Sequence, residues 1–473
     1  MKRLLTIFSF VFAVCTMSWA QEVATDEDVE TSAQDAVFKR PKDDADLQVG
    51  KPVDNENTPI KQEENKKKIV AVTGVAAQGA AVPETEAEEG EDSLYVALLT
   101  CEPGWDAYKM FGHTAIRVRN LHVEDADWAF NYGIFDFNSK NFIWRFVVGE
   151  TDYILSAEPT HNFFDRYSKE GLGVTEQELA LSPAEKTELV RLLVINAQPE
   201  NRTYRYNFLY DNCTTRARDK ICEVAGKRLK TNSQPLDCTY RDILHQFTEG
   251  SPWTEFGIDF VLGCEVDRKV DAQTQQFIPS IYMADADSTT LFGDSIGVHP
   301  LVADTRFYAP QGQPDKGFTF PVTPLTLFWV LLGVAILLSL LDWQRRRPTL
   351  WFDILLIFAQ GVTGIVVFIL FFFSEHPAVG TNWLVVTFNP LIFVMIWDIV
   401  RLHKHHKLLL GIHKRDGKVI DWREIANLAG LGFALLLYWL PLQVLNPAML
   451  PLVLTLLIRS IVRMNMRVSK NYY

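Results

Sequence analysis

The sequence has little spare positive charge. Across 473 residues, 46 Lys/Arg face 58 Asp/Glu, for a formal net charge of −12. That balance excludes the broad basic surface that nucleic acid requires. Most of the imbalance lies in residues 21–92, which hold 19 Asp/Glu against 8 Lys/Arg, a net −11. The same stretch lacks aromatics apart from Phe38. It buries too little apolar surface to offset ordering entropy, which predicts an acidic disordered leader. Cysteine is scarce as well, with six in the chain. No convincing internal repeat is present.

Four segments lack charge altogether: Gly317 to Leu341, Ile354 to Ser374, Pro377 to Trp397, and Ile425 to Ile458. The first three are long enough to cross a bilayer. The fourth is interrupted by Pro441 and by Asn446-Pro447, which predicts two helices folded back on each other. Residues 317–473 therefore read as an all-α transmembrane bundle of about five spans. Arg459 and Arg463 are expected at, or snorkelling to, the end of the last one.

The N-terminus has the pattern of an export signal. Lys2 and Arg3 precede an uncharged stretch from Leu4 to Met17, and Ser18-Trp19-Ala20 puts small residues at −3 and −1. This predicts a signal peptide over residues 1–20, cut before Gln21. Val14 precedes Cys15, where a lipoprotein cysteine would follow a small residue.

Basic residues fix the orientation. Arg345, Arg346 and Arg347 follow the first run. Arg401, Lys404, Lys407, Lys414, Arg415 and Lys418 follow the third, and Arg463, Arg467 and Lys470 follow the last. The connections 375–382 and 443–446 carry no Lys or Arg. Basic loops face the cytoplasm. An exported N-terminal part, five spans and a cytoplasmic C-terminus are mutually consistent.

Between leader and membrane, residues 93–316 show mixed patterning. Leu94 to Thr100, Thr114 to Arg119 and Trp128 to Phe135 read as strands. Ser182-Pro183-Ala184-Glu185 is a capping box with proline at the first helical position. It opens a helix through about Ala197, with Leu189, Leu192 and Leu193 on one side. Tyr204 to Tyr210 alternates like a strand, and a helix is expected from Cys213. The class is α+β.

The chemistry concentrates in two places. In Phe111-Gly112-His113-Thr114, a histidine opens a strand. In Asp211-Asn212-Cys213-Thr214-Thr215-Arg216, a cysteine opens a helix. A helix N-terminus favours the thiolate, and Arg216 and Arg218 are expected to add to that effect. The same N-terminal amides suit an oxyanion formed when the thiolate attacks a carbonyl. A nearby imidazole takes the thiol proton. Asn131, on the strand paired after that of His113, is placed to hold the imidazole in one tautomer. The candidate catalytic residues are Cys213, His113 and Asn131. Besides Cys213, the exported part holds Cys101, Cys222, Cys238 and Cys264, which allow three pairings among themselves.

Gly112-His113, Asn131-Tyr132-Gly133-Ile134-Phe135-Asp136-Phe137 and Asp211-Asn212-Cys213-Thr214-Thr215-Arg216 together resemble the Lnb family. Thr381-Asn382-Trp383 and Asn389-Pro390-Leu391 in the membrane part are similar as well. The resemblance implies a periplasmic, circularly permuted papain-like (cysteine protease-like) domain, with His before Cys, joined to a transmembrane domain in the inner membrane. The implied activity is lipoprotein N-acylation. An acyl chain passes from a membrane phospholipid to Cys213 as a thioester, then to the α-amine of a lipoprotein's diacylglyceryl-cysteine. Two other functions fit the residues: a membrane-tethered cysteine amidase or peptidase acting on cell-wall peptide, and a non-catalytic envelope assembly module.

Other polar residues read more plainly. Glu375, His376 and Asn382 read as an ordinary outer loop before a headgroup contact. Gln360 and Asn389 read as helix caps or cross-links. His403, His405 and His406, interleaved with lysines, read as a basic flank; no metal or cofactor is expected. Asp136, Asp211, Asp259 and Asp267 are candidates to support fold or site. Trp144, Phe146 and Trp253 read as core.

Overall fold

The structure, a computed structural model, describes residues 93–135, 141–294, 297–314, 320–396, 412–415 and 418–468. The expected signal peptide and leader, Asp136, His403, His405 and His406 lie outside these residues. The chain divides into two compact units. The first comprises Met1–Phe135, Tyr153–Ser233 and Gln276–Phe318; the second comprises Asp136–Asp152, Gln234–Gln275 and Thr319–Tyr473.

The first unit is built on a seven-stranded sheet. Its strands are β1 (Leu94–Cys101), β2 (His113–Asn120), β3 (Asp127–Ile134), β4 (Asp152–Pro159), β5 (Val174–Leu179), β6 (Thr203–Arg205) and β7 (Val302–Tyr308), in the order β7-β5-β1-β2-β3-β4-β6. Helices α1 (Thr160–Lys169), α2 (Pro183–Asn196), α3 (Cys213–Ala225) and α4 (Pro279–Ser288) complete it. β1 is central and nearly continuously apolar, as a strand covered on both faces must be. Val96, Leu98, Ile116, Val118, Phe130 and Tyr132 join Leu189, Leu193, Ala217, Ile221 and Tyr282 in the main core. Leu99, Cys101, Ala115, Ala129 and Val174 pack with Phe163 on the opposite face. A fully buried leucine such as Leu98 or Leu189 contributes about 1.5–3 kcal/mol.

The three expected strands and the Ser182 helix form with small boundary shifts. Ser182 and Glu185 exchange the two bonds of the capping box, with the Ser182 amide donating to Glu185 Oε2 at 2.8 Å. The alternation from Tyr204 to Tyr210 gives only the three residues of β6. The chain then turns, because Asn207 Oδ1 accepts from the amides of Leu209 and Tyr210, and residues 207 and 211 pair across the turn. A local Asn turn thus overrides the strand pattern.

In the second unit, helices Pro324–Arg345 and Leu350–Phe373 are long and apolar enough to cross a bilayer. The third apolar run does not begin as a helix. It makes 3-10 turns at Trp383–Val386 and Pro390–Ile392, opened by Asn382 and Asn389. Pro390 disfavours the α conformation at Asn389. Gly364 lets that backbone approach closely, since a Cβ there would sit 2.7 Å from Asn389. Gln360 donates to Thr387 O and to Asn427 Oδ1, each at 3.0 Å, so it cross-links as expected. The fourth run folds as two helices, Trp422–Leu437 and Met449–Val468, broken where the prolines fall.

Arg459 and Arg463 do not snorkel; both are buried. Arg459 pairs with Asp353 and Asp342 at 2.8 Å each, and Arg463 pairs with Glu424 at 2.8 Å. Asp342, Asp353 and Glu424 flank the apolar runs, so runs chosen for lacking charge hide the partners that neutralise these arginines. Pairing inside the bundle replaces the larger cost of facing lipid.

Residues 234–275 belong to this unit through polar ties. Asn382 Nδ2 donates to Phe260 O at 2.8 Å, and Asn446 Nδ2 to Asp259 at 2.9 Å. Arg241 pairs with Asp259 at 2.7 Å and Asp267 at 2.6 Å. Asn382 is therefore a structural tie, and Asp259 and Asp267 support the fold. Trp253 donates to Val322 O among packed aromatics. Trp144 and Phe146 are exposed instead of core. Their short helix, Phe142–Val147, leads to Val148, whose carbonyl accepts from the Glu375 amide at 2.9 Å. Cys101, Cys213, Cys222, Cys238 and Cys264 are all free thiols.

Candidate active site

Three pieces of the first unit bring the expected residues together. Gly112 adopts φ +77°, and a Cβ there would meet Cys101 O at 2.7 Å. Only glycine makes this tight entry, which sets His113 at the head of β2, opposite Cys101. Asn131 lies on β3, where it pairs with Ala115. His113 is two residues from Ala115 and so shares its face.

Cys213 is the first residue of α3. Asn212 caps that helix with its whole amide. Oδ1 accepts from the Thr214 and Thr215 amides at 2.8 and 2.9 Å, while Nδ2 donates to Phe208 O and Phe277 O at 2.8 Å each. Thr114 Oγ1 and Thr214 Oγ1 hydrogen-bond at 3.0 Å, both fully buried, and pin the helix start to β2. Cys213 and His113 remain partly exposed.

The imidazole and the Cys213 sulfur lie within reach of each other's charge. Its Nε2 lies 3.3 Å from Asn131 Oδ1, which leaves Nδ1 as the nitrogen for the thiol. Burial pushes the Cys213 thiol up, but the adjacent His113 charge, the Thr114 amide and the Thr214 hydroxyl outweigh it and hold the thiol below its ordinary value. Burial pushes His113 down; the Cys213 charge and the bond to Asn131 outweigh it and raise the imidazole. Both shifts favour a thiolate–imidazolium pair.

Two expectations change here. Arg216 is held by Asp211 at 2.6 and 2.7 Å, and Arg218 pairs with Asp219. Their charge is already matched, and His113 supplies the field on the sulfur. The Thr214 and Thr215 amides are taken by Asn212. The Cys213 amide, at the first helical position, is outside that cap.

Three residues went unrecognised in the sequence. Asn131 Nδ2 donates to Glu158 Oε1 at 2.8 Å, which fixes the amide with its oxygen toward His113. Arg166 grips Glu158 through bonds of 2.7 and 3.0 Å. Tyr167 lies near-parallel to His113, with 6.4 Å between ring centroids. A thiolate, an imidazole and an orienting amide define the class: a cysteine–histidine site suited to acyl transfer or hydrolysis, in a chain that also carries membrane-length helices.

The family model described as the Lnb N-terminal periplasmic domain matches residues 86–246, and that described as the Lnb transmembrane domain matches residues 315–471. The chain belongs to the Lnb family, with a periplasmic N-terminal domain and a transmembrane domain. No curated protein and no solved structure matches it.

Proposed function

We propose that this protein is a lipoprotein N-acyltransferase of the inner membrane, with Cys213 as nucleophile, His113 as acid–base and Asn131 as orienting amide. The Cys213 thiolate attacks an acyl ester of a membrane phospholipid. His113 protonates the departing lysophospholipid oxygen and leaves an acyl thioester. The free α-amine of a diacylglyceryl-cysteine then attacks the thioester, His113 takes the amine proton, and the Cys213 thiolate is regenerated. The observation that carries this reading is the His113–Cys213 pair with its lowered thiol, in a chain of this family. Both substrates bear lipid, which accounts for a catalytic domain tied to a membrane bundle. The reading includes a permuted papain-like arrangement, with the cysteine helix α3 placed after the histidine strand β2. It also includes five spans with the C-terminus in the cytoplasm.

The test is mass spectrometry of lipoprotein N-termini. Cells whose only copy is Cys213→Ser or His113→Ala should lose the amide-linked acyl chain, while the variants insert normally. Retention of that chain in the Cys213→Ser strain overturns the proposal.

A further inference from the structure

Attack of a thiolate on an ester carbonyl forms the C–S bond and moves the C=O π pair onto oxygen. That oxyanion needs donors aimed at it. With the Thr214 and Thr215 amides bonded to Asn212, the helix start offers the Cys213 amide. A second donor has to come from elsewhere.

Tyr204 on β6 supplies a candidate. Its side chain is buried, and its hydroxyl has no hydrogen-bond partner among the described residues. A buried phenol normally finds one. The position of this hydroxyl is informative. A Cβ placed on Gly133 would lie 3.6 Å from Cys213 Cβ and 3.9 Å from both Tyr204 Oη and Tyr206 Cε2. Gly133 itself sits at φ +87°, a conformation that disfavours a side chain. The sulfur-bearing carbon and the idle hydroxyl therefore border one small space that Gly133 leaves unfilled. An acyl carbon bonded to Sγ places its oxygen two bonds beyond the sulfur, on the scale of that gap.

Resting on the acyl-transfer reading, the geometry points to Tyr204 as a catalytic residue whose hydroxyl donates to the acyl oxyanion formed on Cys213, alongside the Cys213 amide. Burial holds the phenol well above its ordinary pKa, so it stays a protonated donor. The Arg216 guanidinium, 3.6 Å from the centroid of the Tyr204 ring, stacks on that ring and holds it in place. When the tetrahedral intermediate collapses, the electron pair returns to the carbonyl. The leaving alkoxide departs with the His113 proton, and Tyr204 keeps its own.

The experiment uses the full-length protein in detergent and two reagents. p-Nitrophenyl hexanoate acylates a thiolate through an oxyanion; iodoacetamide alkylates it without one. Tyr204→Phe should slow single-turnover acylation about 10²-fold or more and leave alkylation of Cys213, and its pH profile, within twofold of wild type. Unchanged acylation overturns the assignment. Equal slowing of both reactions also overturns it, since the hydroxyl would then serve the thiolate or the fold. Cys213→Ser separates this result from failure of the acyl-transfer reading. If the serine variant acylates as fast as wild type, the reading itself fails, whatever Tyr204 does.

Discussion

Replacing Glu158 by glutamine isolates the residue that aims the Asn131 amide. The Asn131 Nδ2–Glu158 Oε1 bond, at 2.8 Å, is charge-assisted and mostly buried. A charge-assisted hydrogen bond contributes about 1.5–3 kcal/mol and a neutral one about 0.5–1.5. The exchange therefore removes about 1–1.5 kcal/mol of preference for the orientation that presents Oδ1 to His113. If that preference is felt fully in the reaction, acylation of Cys213 slows about 5- to 13-fold. The bond to Asn131 also helps hold His113 protonated, so the alkaline limb of the pH–rate profile should move down. The assay is single-turnover acylation across pH, run as a double-mutant cycle with Asn131→Ala. In the alanine background Glu158 has no amide to aim, and Glu158→Gln should change the rate less than twofold. A full-sized effect in that background refutes the relay and assigns Glu158 to its Arg166 pairing alone.

Wild-type alkylation of Cys213 by iodoacetamide should begin below the ordinary thiol value of 9.0 and persist as His113 loses its proton, because the sulfur of the coupled pair stays a thiolate. With His113→Ala the burial penalty remains and the compensating charge is gone, so the thiol should titrate at or above 9.0 by the same measurement. Asn212→Ala removes two capped amides and strips two buried carbonyls of their donor. It should cost about 2–3 kcal/mol, read as a lowered thermal unfolding midpoint in detergent. Arg459→Ala leaves Asp342 and Asp353 buried without it and should cost about 3–5 kcal/mol. Limited proteolysis of the detergent-solubilised protein should then cut between the last helices much faster.

The proposed reacting residues were legible because each carries a local signature: a glycine before a strand-opening histidine, and an Asn-Cys-Thr-Thr helix start. Asn131 was reachable from hairpin pairing, which is nearly local. Glu158 and Arg166 were not, since nothing in a glutamate ending one strand and an arginine in the following helix tells which amide they serve. The strand expected from Tyr204 to Tyr210 failed because alternation carries no information about an Asn side chain that captures its own backbone. The buried arginines were misread for a related reason. Arg459 lies beyond the uncharged run, while its partners Asp342 and Asp353 lie just outside two others. Their meeting is a property of helix packing, not of any one window.

The interleaving of the two units along the chain has a practical outcome. The path passes from one to the other at 135/136, 152/153, 233/234, 275/276 and 318/319. A truncation at 318 would sever only the last of these joins. The helices Tyr240–Thr248 and Pro252–Val261 would stay attached, stripped of Asn382, Gln443 and Asn446. Such a fragment should be insoluble. The first unit is thus no detachable module, and making it as a free fragment calls for grafted loops in place of both excursions.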